Sequence, residues 1–231
     1  MTRKTSNDKK VKLSAALALV LSCILLLAGC GGGTAQSTQE SGSKEETAET
    51  KTQAVNEENT ADTVDTSAMD HVQIKVKDYG TITLALDAEA APATVENFEK
   101  LVKEGFYDGL TFHRIMDGFM IQGGDPLGNG TGGSDETIVG EFAANGYDNP
   151  ISHVKGVISM ARAQNPDSAS SQFFITVADS TFLDGQYAAF GYVTEGMEVV
   201  EQIAKDAEPT DNNGTIPPEA QPVIESITMT E

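Results

Sequence analysis

The sequence predicts a mostly β domain over residues 71–231, a closed β-barrel capped at its ends by two α-helices. Two observations favour this fold. Short apolar runs of strand length recur along these 161 residues, and only two segments show the periodicity of a helix. No internal repeat is visible, and a segment of this length can bury one sizeable core.

The first elements follow from the hydrophobic pattern. Apolar residues alternate with polar ones over 72–76 and 82–86, on either side of the turn Asp78-Tyr79-Gly80, which predicts a β-hairpin. Pro92 then begins a segment with apolar residues at helical spacing, which ends near Gly105. Four runs of strand length follow, at 111–115, 119–122, 157–161 and 173–177. A second helix is predicted around Met197, Val200 and Ile203, and a closing strand over 223–229.

The first 29 residues have the features of an export signal. Residues 1–12 carry five basic side chains against one acid, and an apolar run of about 15 residues follows over 13–27. A transmembrane anchor, the alternative, needs about 20 apolar residues. Leu27-Ala28-Gly29-Cys30 resembles a bacterial lipobox. That resemblance implies cleavage before Cys30, attachment of lipid such as palmitate to Cys30, and a location on the extracytoplasmic face of the cell membrane.

Residues 30–70 are predicted to be the lipidated cysteine and a disordered acidic linker. From residue 31 the segment carries nine acids, two lysines and no aromatic side chain. It cannot bury enough apolar surface to offset the entropy of ordering. Forty flexible residues would span about 35 Å. A solvated spacer is the simplest interpretation, and a tail that binds cations or a partner is the alternative.

Composition excludes several functions. The net charge of -20 argues against a nucleic-acid partner, which requires a basic surface. The only cysteines are Cys23 and Cys30, so the globular part has no disulfide, thiolate zinc site or cysteine nucleophile. His71, His113 and His153 lack the spacing of metal ligands, and no metal site is predicted.

Three further motifs are weak. Residues 128–133 fit G-x-G-x-x-G, but Pro126 precedes them and acids follow at 135–136, where a phosphate would sit, so a flexible loop is expected. Residues 125–135 lack the alternating carboxylates of a calcium loop. The serines of 168–171 lack the glycine frame of a nucleophile elbow.

Two regions combine apolar side chains with isolated polar ones. Residues 112–125 hold Arg114 and Gln122 among phenylalanine, methionine and isoleucine. A lone arginine in such surroundings is normally avoided unless its guanidinium has a role. The second region comprises 156–163, 171–175 and 182–185. The pattern alone leaves a packed core and a ligand pocket equally open.

Four motifs in this order resemble the cyclophilin family of peptidyl-prolyl cis/trans isomerases: Phe112-His113-Arg114, Gly118-Phe119-Met120, Gln122-Gly123-Gly124-Asp125 and Ser171-Gln172-Phe173-Phe174. The resemblance covers residues 71–231 and implies an eight-stranded antiparallel barrel closed by two helices. It also implies a monomer that isomerises X–Pro bonds of exported, proline-containing polypeptides without a cofactor. A membrane-anchored chaperone or peptide-binding module with little catalysis is the alternative, which the presence of Arg114 disfavours.

The resemblance also implies a role for each matching residue. Arg114 corresponds to the arginine that donates a hydrogen bond to the proline nitrogen in the twisted transition state, and Gln122 to the residue that orients it. Matches to the proline pocket are Phe119, Met120, Phe174 and Leu183. Matches to the groove for the flanking peptide are Ala161, Arg162, Ala163 and Gln172. His113 is interpreted as structural.

Three positions depart from many eukaryotic members, which have tryptophan, histidine and asparagine where this chain has Phe182, Tyr187 and Arg162. Both Phe182 and Tyr187 remain candidates for substrate binding. Loss of the indole N–H disfavours tight cyclosporin binding. Arg162 is expected to change which residues beside proline are preferred.

Overall fold

Eight strands of this chain form one continuous sheet. The computed structural model describes residues 64–230; the predicted signal peptide, Cys30 and linker residues 31–63 lie outside the described residues. The elements in chain order are β1 (Asp70–Val76), β2 (Gly80–Leu86), α1 (Pro92–Lys103), β3 (Phe112–Met116), β4 (Met120–Gly123), β5 (Val157–Met160), β6 (Phe173–Thr176), β7 (Ala189–Glu195), α2 (Met197–Asp206) and β8 (Ile224–Thr230). Within 64–230, neither helix combines the length and apolar character needed to cross a bilayer.

The sheet has the strand order β3-β4-β6-β5-β7-β2-β1-β8, and every neighbouring pair is antiparallel. The predicted mostly β fold with eight antiparallel strands and two helices is therefore confirmed. Short 3-10 turns at Ala143–Asn145, Thr181–Leu183 and Pro218–Ala220 interrupt the connections. The second of these turns carries side chains of the candidate site.

The sheet curls, but its two edge strands do not pair along their length. Segments just before β3 and β8 meet at a single bridge between Thr111 and Val223. Backbone hydrogen bonds of 2.8 Å from Gly109 to Ile224 and from Ile224 to Leu110 reinforce this corner. Beyond it the described strands part, so the predicted closed barrel is an open, curled sheet joined at one corner.

A loop takes the place that a closing strand would occupy beside β3. The Ile115 N–H donates to the Gly214 carbonyl at 2.8 Å, and the Ile216 N–H donates to the His113 carbonyl at 3.0 Å. Gly214 has φ +84°, and a Cβ there would lie 2.5 Å from the Met116 side chain. The loop can follow β3 this closely because that position has no side chain.

The core lies inside the curl and beneath the helices. Alternate residues of β1 and β2 are buried, as the hairpin pattern predicts. Aromatic rings fill the space between α1 and the sheet, with centroids 5.2 to 6.1 Å apart, the spacing of edge-to-face and tilted pairs. These rings belong to Phe98, Tyr107, Phe112, Phe173 and Phe190.

Helix α1 is capped by a residue far along the chain. Pro92 occupies its first turn, and no side chain at its N-cap accepts a hydrogen bond. Instead, the buried Glu141 carboxylate accepts the N–H groups of Ala93 and Thr94 at 3.0 and 2.8 Å. The Thr94 hydroxyl donates to it at 2.7 Å. Glu141 thus satisfies donors that every helix leaves free at its N-terminus.

The folded domain begins before the sequence-derived boundary at residue 71. Asp70 is the first residue of β1, where it pairs with Leu86 of β2. Met69 packs against a small apolar cluster that includes Val157 and Tyr192. These contacts anchor the last residues of the segment that composition alone assigns to the linker.

Candidate active site

A cavity of about 340 Å³ opens where β3, β4 and β6 lie side by side. Ten side chains line it: Arg114, Phe119, Met120, Gln122, Ala161, Arg162, Phe174, Phe182, Leu183 and Tyr187. All ten are residues that the sequence singles out. Two further residues that the sequence predicts for the site, Ala163 and Gln172, line an adjoining cavity of about 360 Å³ beside the glycine-rich loop 130–133. The structure therefore brings all twelve candidates to one groove.

A row of side chains across four strands supports this groove. Arg114 on β3 is opposite Gln122 on β4, Gln122 is opposite Phe174 on β6, and Phe174 is opposite Ser159 on β5. Directly opposed residues of neighbouring strands project to the same face of a sheet. Ile121 and its counterparts, one position away, are buried in the core on the other face.

The half-buried Arg114 guanidinium is held from two sides. Its Nε–H donates to the Asn213 carbonyl at 2.7 Å, and Nη1 donates to Gln122 Oε1 at 3.1 Å. Its other close contacts are the sulfur atoms of Met116, 3.3 Å from Nη2, and Met120, 3.8 Å from Nη1. Thioether sulfur is a weak acceptor. The guanidinium is thus fixed in orientation yet keeps donor capacity toward the cavity.

The amide of Gln122 is fixed in turn by a short relay. Its Nε2 donates to Gln172 Oε1 at 2.9 Å, and Gln172 Nε2 donates to the Gly132 carbonyl at 2.7 Å. Each amide therefore presents its oxygen to one neighbour and its nitrogen to the next. The relay links the Arg114 cavity to the adjoining one.

Arg114 provides a permanent positive charge at the cavity. Burial lowers the pKa of its guanidinium, while Tyr187 and Asp211 act in the opposite direction. Arginine keeps its proton in proteins despite such shifts because its intrinsic pKa is so high. A rigid cation therefore borders a mostly apolar space.

Apart from Arg114, Gln122 and Arg162, the side chains that line the cavity are apolar or aromatic. Three buried side chains form its inner wall: Met120, Phe174 and Leu183. The ring of Phe119 packs on that of Phe182 at 5.5 Å, and Tyr187 meets Phe174 edge-on at 5.9 Å. Phe182 is 65% exposed, so an aromatic surface forms part of the cavity rim. This arrangement suits a small apolar ring with polar atoms on its Arg114 side.

Arg162 lies where the two cavities meet. Its guanidinium is 4.9 Å from the ring centre of Phe142 and 4.8 Å from that of Tyr187. Nε and Nη2 both donate to the Gln186 carbonyl, at 3.0 and 2.8 Å, and Nη1 donates to the Ala163 carbonyl at 2.9 Å. Sequence reasoning did not identify Phe142, which lies twenty positions before Arg162 with no pattern linking the two.

A polar unit that runs from behind the cavity to the surface was also missed. The ring of His153 stacks against Phe174 with centroids 6.0 Å apart. Its Nδ1 lies 2.8 Å from the Asp184 carboxylate, and its Nε2 lies 3.0 Å from the Ser159 hydroxyl. Because a carboxylate only accepts, Nδ1 carries a proton. Burial lowers the pKa of His153 against the effect of Asp184, which favours the neutral ring, and in that form Nε2 accepts from Ser159. His153 and Ser159 are fully buried and support the cavity wall, whereas the Asp184 side chain reaches the surface.

The glycine-rich loop is organised by a carboxylate. Asp125 accepts N–H groups from Leu127, Asn129 and Gly130 at 2.8, 3.0 and 2.6 Å. Burial alone would raise the pKa of Asp125, but these N–H bonds outweigh it and lower the pKa. The carboxylate is thus occupied in holding the loop, whose residues 130–133 line the adjoining cavity.

His113 stands beside Arg114 in its motif and does not line the Arg114 cavity, but it shares a neighbouring cavity of about 330 Å³ with Arg114 and Gln122. It is buried, and neither ring nitrogen has a hydrogen-bond partner among the described residues. Burial lowers the pKa of His113; Asp125 acts against this shift and Arg114 with it. Within 64–230, no three histidine, cysteine, aspartate or glutamate side chains are close enough together to hold a metal ion.

Comparisons with known proteins identify the family of this chain. The family model described as cyclophilin type peptidyl-prolyl cis-trans isomerase/CLD matches residues 71–229. Peptidyl-prolyl cis-trans isomerase B of Bacillus subtilis is 47% identical over 129 residues, which cover 56% of this chain and 87% of the relative. A probable peptidyl-prolyl cis-trans isomerase of Brucella suis is 45% identical over 143 residues, covering 59% of this chain and 72% of the relative.

A solved structure shares the fold. The crystal structure of a Cryptosporidium parvum cyclophilin type peptidyl-prolyl cis-trans isomerase, in the presence of the dipeptide Ala-Pro, matches with a TM-score of 0.62 and 29% identity. The match covers 70% of this chain and 99% of that structure. The chain therefore belongs to the cyclophilin-type peptidyl-prolyl cis-trans isomerase family, and it is an isomerase of that type.

Proposed function

We propose that the isomerisation takes place in the Arg114 cavity. The enzyme is anchored at the extracytoplasmic face of the cell membrane, and its substrates are exported polypeptides. The observation that carries the site assignment is the fixed guanidinium of Arg114 beside an apolar cavity. A proline ring fits against Phe119, Met120, Phe174 and Leu183. Ala161, Arg162, Ala163 and Gln172 border the path of the flanking peptide, and Phe182 and Tyr187 form the rim.

The proposed chemistry needs only a positioned donor. Rotation about a peptide C–N bond has a barrier of about 18–20 kcal/mol because resonance is lost as the bond twists. In the twisted state the proline nitrogen regains a basic lone pair, and a donor aimed at it binds that state better than the planar one. Every 1.4 kcal/mol or so of such selective binding accelerates the reaction tenfold. No covalent step is required.

Arg114 is suited to this role by its donors. The two oxygen atoms that hold it occupy Nε and one N–H of Nη1, and its remaining close contacts are to sulfur. A substrate nitrogen would therefore compete only with weak acceptors. Gln122 acts as the positioning residue, since Gln172 holds its amide and the Gly132 carbonyl in turn holds the amide of Gln172.

Exchange NMR on the full chain tests this assignment. With an Ala-Ala-Pro-Ala peptide, we expect exchange between cis and trans signals on the subsecond scale, against about 10–100 s without catalyst. In protein carrying labelled methionine methyl groups, the peptide should shift Met120, which lines the cavity, and leave Met229 on β8 as the internal control. Binding at the cavity without accelerated exchange would favour the peptide-binding module instead, and catalysis without a shift of Met120 would place the reaction elsewhere.

We also propose that lipid on Cys30 anchors the enzyme as a monomer. The basic segment, the apolar run and Leu27-Ala28-Gly29-Cys30 support an exported lipoprotein whose acidic linker after Cys30 sets the distance from the membrane. Every residue assigned to the site comes from one folded chain, consistent with a monomer.

Changing Cys30 tests the anchor separately from the chemistry. We expect the protein to incorporate labelled palmitate and sediment with membranes when produced in bacteria. Cys30→Ala should abolish incorporation, while the purified variant keeps wild-type kcat/KM within about twofold, because all site residues lie beyond residue 113. Labelled palmitate on Cys30→Ala, or none on the wild type, would refute lipidation at Cys30.

A further inference from the structure

The groove differs in charge from the domain around it. Residues 71–231 contain 25 acids and 8 basic side chains. Of the described residues, however, those lining the two cavities include no acid and two cations, Arg114 and Arg162. A peptide carboxylate entering this groove therefore leaves a strongly acidic surface for a locally cationic one.

Arg162 is a second cation with free donors. Its protein partners are the faces of two rings and two backbone carbonyls rather than a carboxylate, so its charge is not neutralised by a neighbour in contact. One N–H on each terminal nitrogen has no partner among the described residues. Stacking between rings has already restricted the side chain, which lowers the entropy lost when it binds a ligand.

The position of Arg162 determines which part of a substrate it can reach. It lines both cavities, together with Gln122 and Ala161. An extended peptide advances about 3.3 Å per residue. A peptide with its proline in the Arg114 cavity and its chain crossing the adjoining one therefore brings residues one or two positions from proline past Arg162.

We propose that Arg162 makes this isomerase selective for substrates with aspartate or glutamate within two residues of the proline. The proposal rests on the assignment of the groove made above. A carboxylate forms charge-assisted hydrogen bonds with the free N–H groups of a guanidinium, and a neutral amide of the same shape gains much less. Lysine or arginine at the same substrate positions is disfavoured by like charge.

Paired peptides test the proposal by exchange NMR, which needs no coupling protease with its own specificity. The full chain is assayed with peptides carrying either glutamate or glutamine at each position from two before to two after proline. We expect kcat/KM for glutamate to exceed that for glutamine by about fivefold at one or more positions at low salt. The ratio should fall toward one at high salt, because partly exposed charges are screened.

Substitutions test whether Arg162 is the source of the difference in kcat/KM between glutamate and glutamine peptides. In Arg162→Gln the glutamate-to-glutamine ratio should approach one, and Arg162→Lys should keep part of it, since lysine retains the charge but not the fork of donors. Lys77→Gln is the matched control, because it removes one exposed cation that lines neither cavity, and its ratio should equal that of the wild type.

Three results would overturn the proposal. Equal rates for glutamate and glutamine at every position in the wild type would refute the selectivity alone, leaving the catalytic assignment intact. An undiminished ratio in Arg162→Gln would place the selectivity in another residue. Absence of catalysis with every peptide would overturn the groove assignment together with this inference.

Discussion

Arg114→Ala should reduce kcat/KM for a proline peptide by about a hundredfold or more while leaving the domain folded. Loss of one preorganised donor to a transition state typically costs about 10²–10³ in rate. That range corresponds to roughly 3–4 kcal/mol of transition-state stabilisation. The fold is expected to survive because Arg114 is only half-buried and projects from the outer face of β3. Exchange NMR gives the rate, and thermal unfolding followed by circular dichroism checks the structure.

Arg114→Lys separates charge from geometry. Lysine restores a cation, but its three N–H donors all leave one nitrogen, whereas Arg114 reaches the Asn213 carbonyl and Gln122 from two different nitrogens of a planar fork. We therefore expect its rate to stay much closer to that of Arg114→Ala than to the wild type. A near-wild-type rate in Arg114→Ala with an intact fold would falsify the role assigned to this side chain.

The largest expected effect on stability comes from Glu141→Ala. This change leaves the N–H groups of Ala93 and Thr94 at the start of α1 without their acceptor. Each buried polar group left unsatisfied costs about 1–3 kcal/mol, so the free energy of unfolding should fall by about 2–5 kcal/mol. For a domain of this size, each kcal/mol lowers the melting temperature by about 2–4 °C. Denaturant titration measures the first quantity and calorimetry the second.

Glu96 provides the matched control, because it lies on the exposed face of the same helix and makes no side-chain hydrogen bond among the described residues. Glu96→Ala should change stability by less than about 0.5 kcal/mol. Equal stabilities of Glu141→Ala and Glu96→Ala would show that the distant cap contributes nothing.

Sequence patterns predicted the regular elements best where one face of an element is buried. The alternation in β1 and β2 and the apolar spacing of α1 gave those elements nearly to the residue. Strands β5 and β6 are fully buried, but each is a short unbroken run rich in large apolar residues, which the sequence shows. Strand β7 was missed because Gly191 interrupts its buried stretch Ala189–Val193 and weakens the strand signal. The sequence did not predict that the barrel fails to close beside β3. A loop around Gly214 bonds this edge in place of a strand, and its residues show no strand pattern.

The site was predicted where its residues stand in contiguous motifs. Arg114, Gln122 and Phe174 lie in one row because three strands align them, and each belongs to a motif that resembles the family. The Asn213 carbonyl is a backbone atom, which carries no signature in the sequence. Phe142 and the unit of His153, Asp184 and Ser159 escaped for a different reason: their contacts join distant segments and arise only from the tertiary fold.

The pairing of β1 with β8 bears on how the enzyme is made. His71 pairs with Thr230, so the strand that begins the domain has its partner at the far end of the chain. During synthesis, β1 can bond only β2 until the last strand emerges, and its other edge stays open to foreign strands. Nascent molecules therefore complete the sheet in one late step, governed by the slow search for contacts between distant segments. This isomerase therefore depends, for its own folding, on a contact between the two ends of its domain that forms slowly.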